Sequence, residues 1–416
     1  MSTRSEWIDE LRTQRAVRAG TSPGRPSSRR AEEARAFLSG GFPDRRVLPK
    51  DSVIDATRDA LAKEGEWALQ YGPTTGDPRL KEALLEKLKR DQGIDAGPEN
   101  LLISAGASQA VALATEIFVE PGDVVISEAP TWAGAVRRFN HAGAKVVEID
   151  VERQGLDTKQ LERVLRELRA KDQRVKLLYL IPNFQNPLGV TTTLERRKRI
   201  LEISNRYNIP ILEDDAYYDL RYDGEFLPTL YSLDQTGSVL YMGTYSKIMA
   251  AGIRLGWAVA DPEIINRMAG LKFEGGTNMF ASQVAAEWTA NGTLESHIDV
   301  LRGHYRKSRD TMLSALKAHM PKDAHWTRPD GGFFIWLTLP KGIQAREVAA
   351  AAADEGVIVS PGPGFYYSNR GREEIRLSYA FPTEHEIEYG IETLATIVKD
   401  KMKQKSSKRL GRKQGT

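Results

Sequence analysis

Between Met242 and Val259 the chain reads MGTYSKIMAAGIRLGWAV, small and apolar residues interrupted by two charges, Lys247 and Arg254, seven positions apart. Charged side chains are seldom fully buried unless they are paired or do chemistry. Thr244 and Ser246 stand just ahead of the lysine and add two hydroxyls. A guanidinium fork fits phosphate bidentately, so Arg254, Thr244 and Ser246 make up one half of a phosphate cup. Gly106, Ala107 and Ser108 would make up the other half. At the start of a helix such residues offer free backbone N–H groups, which favour an anion. An ordinary strand-to-helix turn reads the same way, and Arg254 would serve equally in a structural ion pair.

Lys247 is then the reactive group. Near cations and partly desolvated, an ammonium sheds its proton more readily and becomes a nucleophile. A Schiff-base lysine beside a phosphate cup suggests pyridoxal phosphate. That cofactor needs a carboxylate at its ring nitrogen, a flat side chain on its face and donors at its phenolic oxygen. Asp214, Trp132, and the pair Tyr217 and Asn186 are of these types. Trp132 would also suit a core, and Asn186-Pro187 a turn.

Such residues must be delivered to one place. The β-rich runs NLLISAG, DVVISEAP, KVVEID, VKLLYLIPN, IPILEDDAY and SVLYMGTYS alternate with helical segments such as SQAVALATEIF and TTLERRKRILEISNRYN. Near-continuous apolar strands between helices predict a parallel sheet covered on both faces, an α/β fold. Ligands in such sheets bind beyond the carboxyl ends of the strands. Five of these ends carry Ala105–Gln109, Glu128–Trp132, Asn183–Gly189, Glu213–Tyr217 and Gly243–Lys247, so the candidate residues converge on one edge. LKEALLEKLKRDQGI predicts an amphipathic helix with a glycine stop. Trp7, Ile8 and Leu11 predict a short helix over 5–19, followed by a loop and a second helical piece ending at LSGGFPD. After about residue 290 the pattern changes. A long helical region leads to GGFFIWLTLP and EIRLSYAFP, strands of a smaller α+β domain.

Composition bounds the rest. At 416 residues, 41% apolar and 28% charged, the chain is globular and exceeds one ordinary core. It contains no cysteine, which excludes disulfides, Cys-ligated zinc and thiol catalysis. No apolar run is long enough to cross a bilayer, the N-terminus has no apolar leader, and a cytoplasmic location is expected. The net charge of +3 conceals a basic end. From Lys399 onward eight basic residues and one acid give +7, leaving −4 for the remainder. This end predicts a disordered basic tail over 401–416 rather than a nucleic-acid contact.

The motifs LQYGPTTGDPRLKEAL, SAGASQA, EAPTW, PNFQNPLG, EDDAYY, TYSKIMAAGIRLGW, PDGGFFIW and EIRLSYA, in this order, resemble a class I aminotransferase of the fold-type-I pyridoxal-phosphate enzymes. The nearest subgroup is that of aminoadipate, kynurenine and aromatic aminotransferases. The resemblance runs from Ser39 to Pro382. It implies a large domain around a mostly parallel seven-stranded sheet, with a smaller C-terminal α+β domain. The expected division is an arm and part of the small domain over 1–60, the cofactor domain over 61–295 and the small domain over 296–400. By the same resemblance Lys247 matches the Schiff-base lysine, and Arg254, Thr244, Ser246 and Gly106–Ser108 match the phosphate cup. Asp214 matches the ring-nitrogen partner; Tyr217, three residues on, favours it over Asp215. Asn186 and Tyr217 match the groups at the phenolic oxygen, and Trp132 the stacking ring. Tyr71 matches a tyrosine that reaches the phosphate from a second subunit, which implies a homodimer with shared sites. Arg376 matches the clamp on the substrate carboxylate, and Gly41 lies where backbone helps to hold that group.

The sequence departs from the subgroup at Trp132, where tyrosine is usual, and at Leu188, where threonine is usual. The segment GRPSSRRAEEARAF is unusually rich in arginine. All three departures bear on the substrate pocket. The activity implied is transfer of an amino group from an amino acid to a 2-oxo acid, with no metal. Elimination or replacement, cyclisation or oxidation on the same scaffold is the alternative, because those enzymes share the cofactor cup. A cofactor-binding transcription regulator is more remote, since about forty residues precede SGGFPD and a winged-helix domain needs more.

Overall fold

A computed structural model describes residues 13–19, 31, 33–274 and 276–414, the last eight of them by backbone alone. After a two-residue strand β1 (Ala36–Phe37), the chain lays down β2 (Leu101–Ser104), β3 (Val124–Ala129), β4 (Lys145–Glu152), β5 (Gly155–Leu156), β6 (Val175–Leu180), β7 (Ile211–Asp214), β8 (Val239–Thr244) and β9 (Gly256–Val259). Their order across the sheet is β2-β9-β8-β7-β6-β3-β4-β5. Strands β4, β3, β6, β7 and β8 pair in parallel, and β9 runs antiparallel between β8 and β2. The seven expected strands are there, with the two-residue β5 added as an antiparallel return beside β4. Strand β9 is the one that the apolar runs did not single out. It is GWAV, a short segment opened by a glycine.

The strands read as continuously apolar because both faces are covered. Along β6, Leu177 and Tyr179 pack with Ala110, Val111 and Phe139 from helices 107–118 and 133–142. Leu178 and Leu180 point the other way, into Leu161, Leu165, Ile200 and Ile203 of helices 158–170 and 194–207. This is the period-two alternation of a strand serving two cores. Helix caps set where these layers begin. Asp157, Thr193 and Asp261 each accept a first-turn N–H with their side chains, satisfying groups that would otherwise lack partners. Helix 107–118 differs: its N-cap is Gly106 at φ +78°, with no side-chain cap.

The C-terminal part adds β10 (His325–Trp326), β11 (Phe334–Thr338), β12 (Val357–Ile358), β13 (Ser360–Pro361) and β14 (Glu374–Ser378). Four of them form an antiparallel sheet in the order β10-β11-β14-β13. Strand β1 pairs in parallel with β12, which brings the N-terminal segment into this unit. Helix 50–64, by contrast, packs on helix 279–290 beside the large sheet.

Two terminal expectations change. The basic end is helical: the last helix runs Glu384–Gln414 without a break at 401. Its first turns are held by Ile387, Ile391, Leu394 and Val398, fully buried at helical spacing, and Lys, Gln and Arg carry the helix onward because they lose little rotamer freedom in it. At the other end a helix spans Gln14–Ala19, while Trp7, Ile8 and Leu11 lie outside the described residues. The helical piece expected before Ser39 gives way to the extended β1 at Ala36.

Candidate active site

The carboxyl ends of β2, β3, β6, β7 and β8 open on one cleft, and segments 39–41 and 365–376 close it from the small domain. Asp214 is the last residue of β7 and is buried. Its Oδ2 accepts a hydrogen bond from the Tyr179 hydroxyl at 2.7 Å, while Oδ1 is buried with no partner. Burial lifts its carboxyl to about 6, against the pull of the Tyr179 bond, of the nearby Ala216 backbone N–H and of the Lys247 charge. The neighbouring Asp215 is committed elsewhere. Both its oxygens accept from the Asn183 side-chain amide, at 2.9 and 3.0 Å, and Arg197 donates to Asn183 Oδ1 at 2.7 Å.

Lys247 follows β8. Its Nζ donates to the Gly41 carbonyl oxygen at 2.9 Å and lies 6.0 Å from the Tyr217 ring centre and 5.6 Å from that of Phe333. Gly41 thus meets the lysine through its oxygen. A side chain at Gly41 would strike the Phe334 ring at 2.8 Å, so glycine is what lets this backbone approach. Tyr217 is buried edge-on against Phe333 and Phe334, and burial drives its phenol upward.

The phosphate-cup residues gather at the other end. Thr244 and Ser246 are linked hydroxyl to hydroxyl at 2.9 Å, and Arg254 reaches Ser246 Oγ at 3.4 Å. The arginine also donates to the carbonyls of Ala105 and Ala251, at 3.2 and 3.1 Å. Gly106 faces it: a Cβ there would lie 2.7 Å from Arg254 Nη2. A Cβ on Gly256 would lie 2.7 Å from the Gly106 backbone. The cup is therefore built by backbones in close approach, and the uncapped first turn at Ala107 and Ser108 leaves its N–H groups for a ligand.

Trp132 caps helix 133–142, half-buried, with its indole lying over Gly134, whose Cβ would come within 2.2 Å of the ring. Asn186 and Arg376 meet directly, Arg376 Nη1 donating to Asn186 Oδ1 at 3.0 Å. Arg376 Nη2 donates to the Ser39 carbonyl at 2.6 Å, and Nε is buried without a partner. The guanidinium carbon sits 4.2 Å from the Phe334 ring centre and 4.7 Å from that of Phe365. Burial pulls this group down to about 10. Tyr71 is not brought to this cleft; it is 84% exposed on the surface.

Sequence reasoning missed several neighbours. Tyr179 reads as one more residue of an apolar strand, although it is the one polar side chain on the inner run LLYL. Glu128 is the penultimate residue of β3, and burial lifts its carboxyl to about 8. It accepts from the Ile181 N–H and the Gln185 amide at 3.0 and 3.1 Å, tying the 181–189 loop to β3. Phe334, Phe365 and Ser39 come from distant parts of the chain and carry no local signal.

The residues present fit pyridoxal phosphate. A buried carboxylate oxygen without a partner suits a protonated ring nitrogen, and a glycine-walled cup with a cation and open N–H groups suits a phosphate. Among the described residues no cluster of metal ligands occurs, and no helix is long and apolar enough to cross a membrane.

Residues 39–394 match the family described as aminotransferase class I and II. The chain is 36% identical to aromatic-amino-acid aminotransferase 1 of Thermococcus litoralis over 88% of both chains. The structure of kynurenine aminotransferase from Pyrococcus horikoshii, solved with PMP, superimposes with a TM-score of 0.90 at 36% identity, covering 96% of this chain and 99% of that one. The α-aminoadipate aminotransferase of Thermus thermophilus, solved with N-(5'-phosphopyridoxyl)-L-leucine, gives a TM-score of 0.85 at 32% identity over 94% of this chain and 98% of that one.

Proposed function

Because this chain belongs to the class I and II aminotransferase family and is a pyridoxal-phosphate-dependent aminotransferase, we propose that the strand-end cleft is its active site and Lys247 its cofactor-bearing lysine. The observation that carries this reading is the Lys247 amine standing in the same cleft as an Asp214 carboxylate oxygen that is buried without a partner. Bound there, the cofactor would supply an aldehyde that condenses with amines and a protonated ring that accepts the electrons of the substrate Cα–H bond. Asp214 holds the proton on the ring nitrogen. Tyr217 and Asn186 would meet the cofactor's phenolic oxygen, and Trp132 would stack on its ring. Gly106, Ala107, Ser108, Thr244, Ser246 and Arg254 hold the phosphate. Arg376 clamps the carboxylate of the amino acid, with Gly41 beside it. Lys247 would serve as the base that takes the proton from the substrate Cα and gives it to the cofactor's former aldehyde carbon, on the far side of the nitrogen that joins the two. The acceptor is a 2-oxo acid, with 2-oxoglutarate the first to assay. Aromatic donors are the first to try on the other side, since two of the three relatives named above carry aromatic substrates in their names and Leu188, Trp336 and Phe365 form an apolar cluster beside Arg376.

Borohydride reduction and peptide mapping test the core of this reading. The phosphopyridoxyl group should be found on Lys247; its presence on another lysine overturns the assignment.

The working unit we propose is a homodimer, in the cytoplasm, with each Tyr71 serving the partner's phosphate cup. Tyr71 is 84% exposed in a group with Trp67 at 72%, Leu69 at 70% and Phe273 at 93%. The two segments are neighbours, since Gly72 lies against Gly276 and Met279. Large apolar side chains exposed in neighbouring segments support an interface there. A mixed dimer of Tyr71→Phe and Lys247→Ala chains has one intact site if sites are shared. It should then recover near wild-type activity at that site, whereas unshared sites leave it no better than Tyr71→Phe alone.

A further inference from the structure

We propose that Tyr179 is a positioning residue of this site, its phenol holding one oxygen of Asp214 so that the other is left for the cofactor's ring nitrogen. The inference rests on reading Asp214 as the partner of that nitrogen. Tyr179 lies in the middle of β6, fully buried, its ring edge-on to Phe139 at 5.7 Å. Strands β6 and β7 are adjacent and parallel, with Tyr179 opposite Leu212. The hydroxyl therefore reaches two residues along the neighbouring strand, to Asp214 Oδ2 at 2.7 Å. A phenylalanine would fill the same apolar space, and a buried hydroxyl is costly unless it is bonded. The hydroxyl's role is thus to be sought in its bond to the carboxylate.

That bond does two things. It pins the plane of a carboxylate that has no other side-chain hydrogen bond among the described residues. It also donates a proton toward a charge that burial disfavours, with Glu128 as a further acid nearby. With one hydroxyl proton, Tyr179 can occupy one oxygen only, and Oδ1 stays open.

The test uses the holoenzyme, Tyr179→Phe, Asp214→Ala and the double variant. Three quantities are measured: the cofactor dissociation constant on reconstitution, kcat and KM for one amino donor, and the melting temperature of the apoprotein. Tyr179→Phe should weaken cofactor binding and lower kcat by roughly tenfold each, with KM for the donor within about twofold. In the Asp214→Ala background the same change should alter neither quantity further. Equal losses in both backgrounds would overturn the inference, as would wild-type affinity and turnover in Tyr179→Phe. A lowered melting temperature with unchanged affinity and turnover overturns it too, by assigning the hydroxyl to the fold alone. If Asp214→Ala itself keeps wild-type affinity and turnover, the reading of Asp214 fails and takes this inference with it.

Discussion

Arg254 and Arg376 stand at opposite ends of the cleft and are built in opposite ways. Arg254 is exposed, sits in the left-handed region at φ +54°, and shares its cup with an uncapped helix start and two hydroxyls. Arg376 is stacked between Phe334 and Phe365, and among the described residues only Asn186 and one carbonyl accept from it. One end spreads the recognition of an anion over many small dipoles; the other concentrates it in a single desolvated charge. A cofactor that stays bound suits the first design. A substrate that must arrive and leave suits the second, because a buried guanidinium binds its carboxylate strongly and little else competes. The contrast predicts that removing one contributor is mild at the cup and severe at the clamp.

The largest effect is therefore expected from Arg376→Ala. It should lower kcat/KM for the amino donor by roughly a hundredfold to a thousandfold, the usual cost of removing a desolvated ionic partner. Cofactor absorbance and affinity should be nearly unchanged. Arg254→Ala comes next: cofactor affinity should fall roughly tenfold, as for one charge-assisted bond among several, with KM for the donor little moved. If the cup variant proved the more damaging of the two, the shared-against-concentrated contrast would be wrong. A smaller effect follows from protonation. Burial draws the Arg376 guanidinium down to about 10, so it loses its proton more readily than a free arginine. Binding of an unreactive carboxylic acid without an amine should hold steady to about pH 9, then weaken by roughly tenfold at pH 11. Affinity that stays flat to pH 11 would contradict the desolvated clamp.

The same contrast governs what could be read from sequence. Most of the cup can be read because Gly106–Ser108, Thr244 and Ser246 stand at the ends of apolar strand runs, which a doubly covered sheet brings to one edge; Arg254, between β8 and β9, stands out only as a charge in an apolar stretch. Asp214 likewise stands out at a strand end, and it is the family resemblance, through Tyr217 three residues on, that favours it over Asp215. The clamp end is less legible. Arg376 bonds to Asn186 and to Ser39, 190 and 337 positions away, and its two flanking rings lie on β11 and beside β13. No local pattern encodes such contacts; the family resemblance supplied Arg376 with Asn186 and Gly41, and left the two rings and the Ser39 carbonyl blank. Tyr179 was lost for a different reason, since in an apolar strand a tyrosine counts as one more large side chain until its hydroxyl finds a partner. Where composition alone suggests a disordered tail, the helix begun by the buried stripe from Ile387 to Val398 runs on to Gln414, because Lys and Gln can extend it.

The smallest effect separates the cofactor's two ends by pH. Burial lifts the Asp214 carboxyl to about 6, above its ordinary 3.8. A raised acid is neutral below that value, and a neutral carboxyl cannot hold the proton of a ring nitrogen. Cofactor affinity should thus be full above about pH 7 and fall about fourfold by pH 5.5. The apoprotein shows the opposite sign. The stability that this neutral acid contributes is fully present below 3.8 and is lost as pH rises through about 6. The cofactor's own phosphate titrates near pH 6 as well, so the cup also weakens in acid. Inorganic phosphate, which engages the cup alone, reports that component, and Asp214→Asn removes the other. The expectation is that wild type loses more cofactor affinity between pH 7 and 5.5 than Asp214→Asn does, while the two bind inorganic phosphate with the same pH profile. Identical cofactor profiles in the two proteins would mean that Asp214 does not face the ring nitrogen as a titrating acid.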